Sequence, residues 1–231
     1  MSIFAIGDLH LSTDPRISKP MDIFGEGWVD HAERLKKNWI EEIANDDTVI
    51  LCGDISWGLK LDEALADFRW IDSLPGHKVV AKGNHDLWWT SKSKLNAISD
   101  GITFLQNDCY MVGKTAICGT RGWICPGTEG FDEHDEKIYT REILRLRMSL
   151  DDAKARGAET IIASLHYPPT NDNFAPSGFT EVLSEYGVSV CVYGHLHGAD
   201  VWKNGYKGVL NGVEYKLVSL DYVDARPVKI I

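Results

Sequence analysis

Five short apolar runs in this chain each lead into residue types that bind metal. SIFAIG runs into Asp8 and His10, and TVILCG into Asp54. KVVAKG runs into Asn84, His85 and Asp86, TIIASL into His166, and VSVCVYG into His195 and His197. Residues i and i+2 of an extended segment point to the same side, so Asp8 with His10, and His195 with His197, can each aim two donors at one place. Taken alone the signals differ in weight. Asp-x-His is a common polar pair at strand ends, and an Asp after a glycine, as in Gly53-Asp54, more often closes a turn. Gly-Asn-His-Asp at 83–86 and Gly-His-Leu-His at 194–197 are more specific. Five of the eight histidines occupy these positions, each near other oxygen or nitrogen donors. That coincidence points to a dinuclear metal centre.

The runs that carry these residues are rich in Val and Ile and read as buried strands. Parallel strands direct their C-terminal ends to one sheet edge, where open α/β sheets place ligands, so residues spread over most of the chain can meet in one cleft. Between the runs, Leu35, Trp39 and Ile43 recur at spacing four and predict a helix. Asp62 is the expected cap of a second helix carrying Leu65, Phe68 and Ile71, ended by Pro75-Gly76. A third is predicted from about Glu136 to Arg156, before Gly157. CYMVG, TAICG and GWIC read as short strands, and Asn211-Gly212 predicts a two-residue hairpin. The stretch from Leu11 to Gly27 is irregular and long, as functional loops are. No repeat or linker divides the chain, so one domain over residues 1–231 is expected, in which mixed βαβ units and late antiparallel strands fit two packed sheets flanked by helices.

Composition is that of a globular protein, 44% hydrophobic and 25% charged, with eight tryptophans. No apolar run approaches the roughly 18 residues that span a bilayer, so no membrane role is expected. The N-terminus lacks the features of a signal peptide. Five cysteines without a Cys-x-x-Cys pair, two of them inside strand-like runs, complete the case for a cytoplasmic protein. A formal charge of −10 without a basic block disfavours nucleic acid as a partner.

The order D-L-H, G-D, G-N-H-D, lone H, G-H-L-H resembles the calcineurin-like metallophosphoesterase superfamily, over residues 8 to 197. The resemblance implies an α/β fold of two mixed β-sheets packed face to face with helices on the outer faces. It implies two divalent ions, one held by Asp8, His10, Asp54 and His197, the other by Asp54, Asn84, His166 and His195, with Asp54 as bridge. His85 is then the catalytic histidine and Asp86 its orienting partner. One motif departs: many relatives follow the second with an Asp-Arg pair, whereas here Ile55-Ser56-Trp57-Gly58 follows Asp54.

The chemistry implied is hydrolysis of a phosphate ester by a metal-bridging hydroxide. Two metals roughly 3.5–4 Å apart clamp a phosphoryl oxygen and lower the pKa of bound water. Mixed imidazole and carboxylate donors suit Mn, Fe or Zn over Mg or Ca. A small phosphodiester is the expected substrate. The alternatives are a phosphomonoesterase or protein phosphatase, and a non-catalytic metal-binding scaffold, which would be expected to lose a ligand or the proton donor; all are intact. Trp57, Trp88 and Trp89 are base-stacking candidates against the commoner core role. Arg121 is a phosphate-gripping candidate against a structural salt bridge. His134, in the acidic run 131–136, is a lesser candidate, and His31 and His77 read as surface residues. The loops at 11–27 and 126–136, and the one after His166 with Pro168, Pro169, Asn171 and Asn173, are expected to border the cleft.

Overall fold

A computed structural model describes all 231 residues. In chain order the elements are β1 (Ile3–Ile6), α1 (His31–Glu42), β2 (Thr48–Leu51), α2 (Leu61–Asp72), β3 (His77–Val80), α3 (Lys92–Leu95), β4 (Ile102–Phe104), β5 (Cys109–Val112) and β6 (Thr115–Gly119). Then come α4 (Glu133–Ala155), β7 (Thr160–Ser164), α5 (Gly178–Glu185), β8 (Val190–Tyr193), α6 (Ala199–Trp202), β9 (Gly208–Leu210), β10 (Val213–Leu217) and β11 (Val228–Lys229). One sheet has the order β11-β1-β2-β3-β4, with β1 to β4 parallel and β11 antiparallel at the edge. The other has the order β5-β6-β7-β8-β10-β9, parallel through β6, β7, β8 and β10, with antiparallel strands at both edges. The expected pair of mixed sheets is present.

The central strands read as unbroken apolar runs because each is buried on both faces. Ile3 and Ala5 of β1 join Ile50 and Cys52, Val79, Ile117, Ile162 and Val192 in the layer between the sheets. The alternate residues Phe4 and Ile6, with Val49 and Leu51, face Leu35 and Trp39 of α1 and Phe68 and Ile71 of α2. Ile161 and Ala163 of β7 do the same toward Leu146 and Leu150 of α4 and Leu183 of α5. Helices thus cover both outer faces. No helix is long and apolar enough to cross a membrane.

Several local expectations shift. α2 is capped at Lys60, with the Glu63 carboxylate accepting the Leu59 and Lys60 amides. Asp62 lies one residue inside and instead pairs with Arg16 at 3.0 Å. α4 begins at Glu133, earlier than the apolar pattern indicates, because the Asp132 side chain accepts the His134 and Asp135 amides. His134 is an exposed residue of that first turn. The GWIC stretch is no strand. The hairpin is as expected, with Asn211 and Gly212 both at positive φ between antiparallel β9 and β10. His31 and His77 are half-buried rather than fully exposed. His31 contacts the carbonyls of Leu9 and Trp28, and His77 stacks on Tyr110 and bonds Thr103.

Trp39 is fully buried under the first sheet, and its indole N–H donates to the Pro75 carbonyl at 2.9 Å. Trp39→Ala should therefore destabilise the protein by about 3–5 kcal/mol. Urea unfolding checks this through a lower midpoint at an unchanged slope.

Candidate metal centre

The ends of β1, β2, β3, β7 and β8 bring Asp8, His10, Asp54, Asn84, His166, His195 and His197 into one cluster. Its middle is two carboxylates, Asp8 and Asp54, with 0% and 1% exposure. His166 Nε2 lies 3.3 Å from Asp54 Oδ2 and its Nδ1 3.7 Å from Asp8 Oδ1. His197 Nε2 lies 3.5 Å from Asp8 Oδ1, and His10 Nε2 lies 3.9 Å from Asp54 Oδ2. Asn84 Oδ1 is 2.7 Å from His166 Nε2 and 3.0 Å from His195 Nδ1. Two donor triads emerge, Asp8 with His10 and His197, and Asp8 with Asp54 and His166, in each of which the ligand atoms lie within 4.8 Å of one another. Both triads contain Asp8, while Asp54 touches a histidine from each. Two central carboxylates thus serve the cluster where the sequence singles out one.

The histidines are oriented from behind. His166 Nδ1 faces the Cys52 carbonyl at 3.0 Å and His197 Nδ1 the Asp221 carboxylate at 3.0 Å. Each contact holds a proton on Nδ1 and turns Nε2 toward the carboxylates, the arrangement metal-ligating imidazoles use. Burial opposes charge on these two rings, but Asp54 and Asp8 outweigh it and raise His166 to about 9 and His197 to about 10. Burial prevails at His10 and His195, lowering them to about 4 and about 3. Despite their own burial, Asp8 and Asp54 stay below the usual carboxylate range because His197 and His166 face them. The His166 Nε2, Asn84 Oδ1 and Asp54 Oδ2 atoms so close together need a proton or a cation among them. Nitrogen and oxygen donors of this kind fit divalent ions.

The backbone bends sharply to achieve this. Asp8, His10, Asp54 and His195 have φ of 60°, 44°, 52° and 72°, in the left-handed region that non-glycine residues seldom occupy. Four such residues at one cluster are the kind of strain that functional sites hold. Two glycines make room: a Cβ on Gly83 would lie 2.1 Å from Asp54 Oδ1, and one on Gly194 2.3 Å from Asp8 Oδ2. Asp86 is fully buried and accepts the amides of Gly83, Asp54 and Ile55 at 2.7, 2.9 and 2.8 Å. Burial and the Asp54 charge raise it to about 7. Its carboxylate is committed to these amides and not to the His85 ring, so the expected orienting role is corrected: Asp86 clamps the loops after β2 and β3 together.

Over the cluster opens a cavity of about 380 Å³ lined by His10, Met21, Phe24, Trp28, Asp54, Trp57, His85, His195, His197 and Gly198. The loops after β1 and β2 continue to pair, Leu11 N–H to the Ile55 carbonyl and Trp57 N–H to the Leu11 carbonyl, which lays Trp57 flat on His10 at 4.7 Å. The exposed His85 ring is 4.8 Å from Trp57, and its amide donates to Asp54 Oδ1 at 2.7 Å. Of the expected cleft loops, 11–27 supplies Met21 and Phe24; the 126–136 segment and the loop after His166 line none of this cavity. Asn171 is instead a structural tie, donating to the Pro126 carbonyl. Trp88 belongs to the core, as the commoner role for tryptophan predicts.

Three features escape a reading of the sequence. Trp28 reaches within 5.6 Å of the His10 ring and 5.2 Å of the His197 ring. Asp221 arrives because Gly7 bridges to Ser219 across the sheets, and it also accepts the Gly198 amide. Buried Asp67 accepts the Ser56 hydroxyl and the Thr13 amide, fixing the first loop against the second. Only the proximity of Asp67 to a predicted helix face was visible beforehand.

The chain belongs to the calcineurin-like phosphoesterase family, whose profile matches residues 1–199. The family typically binds divalent metals. Among solved structures it is similar to phosphopantetheinyl hydrolase from Mycobacterium tuberculosis, at 14% identity and a TM-score of 0.58, covering 100% of this chain and 95% of that one. It is also similar to a protein of unknown function from Aquifex aeolicus, at 16% identity and a TM-score of 0.53, covering 99% and 95%. At these identities the likeness is one of fold. A search of curated proteins finds no match.

Because Asp54 reaches histidines on both sides of the cluster, Asp54→Asn should lower metal content below that of His10→Ala, which removes a donor from one side. Elemental analysis after dialysis decides it, and two ions per chain retained in Asp54→Asn would discard the assignment.

Proposed function

We propose that this chain, acting as one domain, is a dinuclear-metal phosphoesterase that hydrolyses a small phosphodiester. Asp8, His10, Asp54 and His197 would hold one divalent ion, and Asp54, Asn84, His166 and His195 the other, with Mn, Fe or Zn as candidates. Bound there, such ions supply Lewis-acid polarisation of a phosphoryl oxygen and activation of water. The remaining work falls to the chain. His85, exposed at the cavity and free on its ring, donates a proton to the departing alkoxide. The hydrogen bond from its backbone amide to the Asp54 carboxylate positions the His85 backbone, and Trp57 walls the ring on one side.

The cavity lining carries the substrate reading. Met21, Phe24, Trp28 and Trp57 give it an apolar wall, and no lysine or arginine lines it. Lys19 lies against the Trp57 ring at 5.4 Å but outside the lining. A phosphodiester brings two organic arms and a single negative charge. Such a wall receives the second arm, and no lysine or arginine of the lining adds to the metal charge that a monoester's extra negative charge would call on. Five free, buried cysteines agree with a cytoplasmic site of action.

His85→Ala should retain metal and fold while turnover falls by about 10²–10⁴-fold, the range for loss of a general acid. Measuring kcat together with metal content separates this from loss of the cluster, and unchanged turnover would remove His85 from the mechanism.

The Mn-loaded protein should show a higher kcat/KM for a bis-aryl phosphodiester than for an aryl phosphomonoester or a phosphopeptide. A preference for either of the latter would replace the substrate class while leaving the cluster in place.

A further inference from the structure

A second pocket, of about 120 Å³, opens where the loops after β3 and β6 meet α4. Its lining holds three cations, Lys82, Arg121 and Arg145, and a single carboxylate, Glu142. In a chain of formal charge −10 this is a local reversal of sign. Glu142 is fully buried and already engaged: it accepts the Thr120 hydroxyl at 2.5 Å and Arg145 Nη1 at 2.9 Å. The Arg121 guanidinium reaches Glu142 only at 3.6 Å, beyond hydrogen-bond length, and is held over the Trp123 ring at 4.4 Å. Its Nε is buried with no acceptor. Arg121, Arg145 and, from outside the lining, Arg141 at 3.8 Å share the one carboxylate, and Lys82 has no ion-pair partner.

A planar guanidinium fixed by stacking but lacking an acceptor is preorganised for a bidentate oxyanion. The pocket volume of about 120 Å³ leaves room for a tetrahedral oxyanion. The position is close to the chemistry. Lys82 precedes Asn84 by two residues, and the Arg121 carbonyl accepts the amides of His166 and Tyr167.

We propose that this pocket is a second anion site, in which Arg121, Lys82 and Arg145 bind a phosphoryl group. That group is either a second phosphate carried by the substrate or free inorganic phosphate.

Equilibrium dialysis of radiolabelled inorganic phosphate against the metal-loaded protein tests this without reference to turnover. The double variant Lys82→Gln/Arg121→Gln should bind one equivalent fewer than wild type, its affinity at this site falling about tenfold or more. The charge-conserving Lys82→Arg, with Arg121 intact, should keep that equivalent, and an unchanged urea midpoint for the Gln variant excludes loss through misfolding. Equal stoichiometry and affinity in wild type and the Gln variant would overturn the proposal. Kinetics then identify the source. A KM raised by the Gln variant only for an aryl phosphodiester bearing a second phosphate assigns the site to substrate. A KM unchanged for substrates with and without that phosphate, alongside the lost equivalent, assigns it to free phosphate.

Discussion

Two carboxylates buried side by side impose the constraint on which the rest of this structure depends. Each ion withdrawn from water costs several kcal/mol, and two like charges in a dry site add repulsion to that cost. Asp8 and Asp54 remain ionised because imidazoles facing them, His10 beside Asp8 and His166 and His197 from two other strand ends, offset their burial. Two of those imidazoles, His166 and His197, are drawn into the cationic form. The same field that holds protons on these rings attracts divalent ions, so the cluster's charge balance and its capacity for metal have one origin.

Holding the carboxylates together requires the chain to give up local comfort at several points. The left-handed backbone at Asp8, His10, Asp54 and His195 and the absent side chains at Gly83 and Gly194 are parts of one solution. Asp86 makes that solution rigid by taking three amides of the two facing loops onto one carboxylate. With Asp221 behind His197 and the Cys52 carbonyl behind His166, the cluster is braced from the sheet side and open on the other. Strain of this kind persists only where neighbouring structure overdetermines the backbone.

The sheets and the cluster were legible in the sequence for the same reason. Strands buried on both faces must be apolar throughout, so each polar residue that ends one of them stands out. β1, β2, β3, β7 and β8 all announce themselves this way, and their parallel pairing carries the donors to one edge. What escaped was whatever depends on contacts between distant segments. Asp221 follows an ordinary Ser-Leu pair and acquires its place only through the bridge from Gly7 to Ser219. Trp28 and Met21 lie in a loop whose path no periodicity encodes. Asp86 looked like a partner of its neighbour His85, but backbone amides across the gap competed more strongly for its carboxylate. The start of α4 was displaced because a capping aspartate extends a helix beyond its apolar stripe.

The departure at Ile55-Ser56-Trp57-Gly58 takes on physical meaning once the cavity is seen. Where many relatives carry an acid and a base after the second motif, this chain places an aromatic ring on His10 at 4.7 Å and against His85 at 4.8 Å. Ser56 is tied to Asp67, so the segment is anchored through a helix and not through an ion pair reaching the cluster. An arginine here would add a fixed positive charge beside the cluster; a tryptophan adds polarisable area and excludes water. Excluding water strengthens every remaining electrostatic contact in the cavity. On this side the cavity wall offers shape and apolar area in place of fixed charge. The fixed cations of this region gather instead around Glu142, beyond the Asn84 and His166 side of the cluster, so the two faces of the strand-end edge differ in charge, one apolar and one cationic.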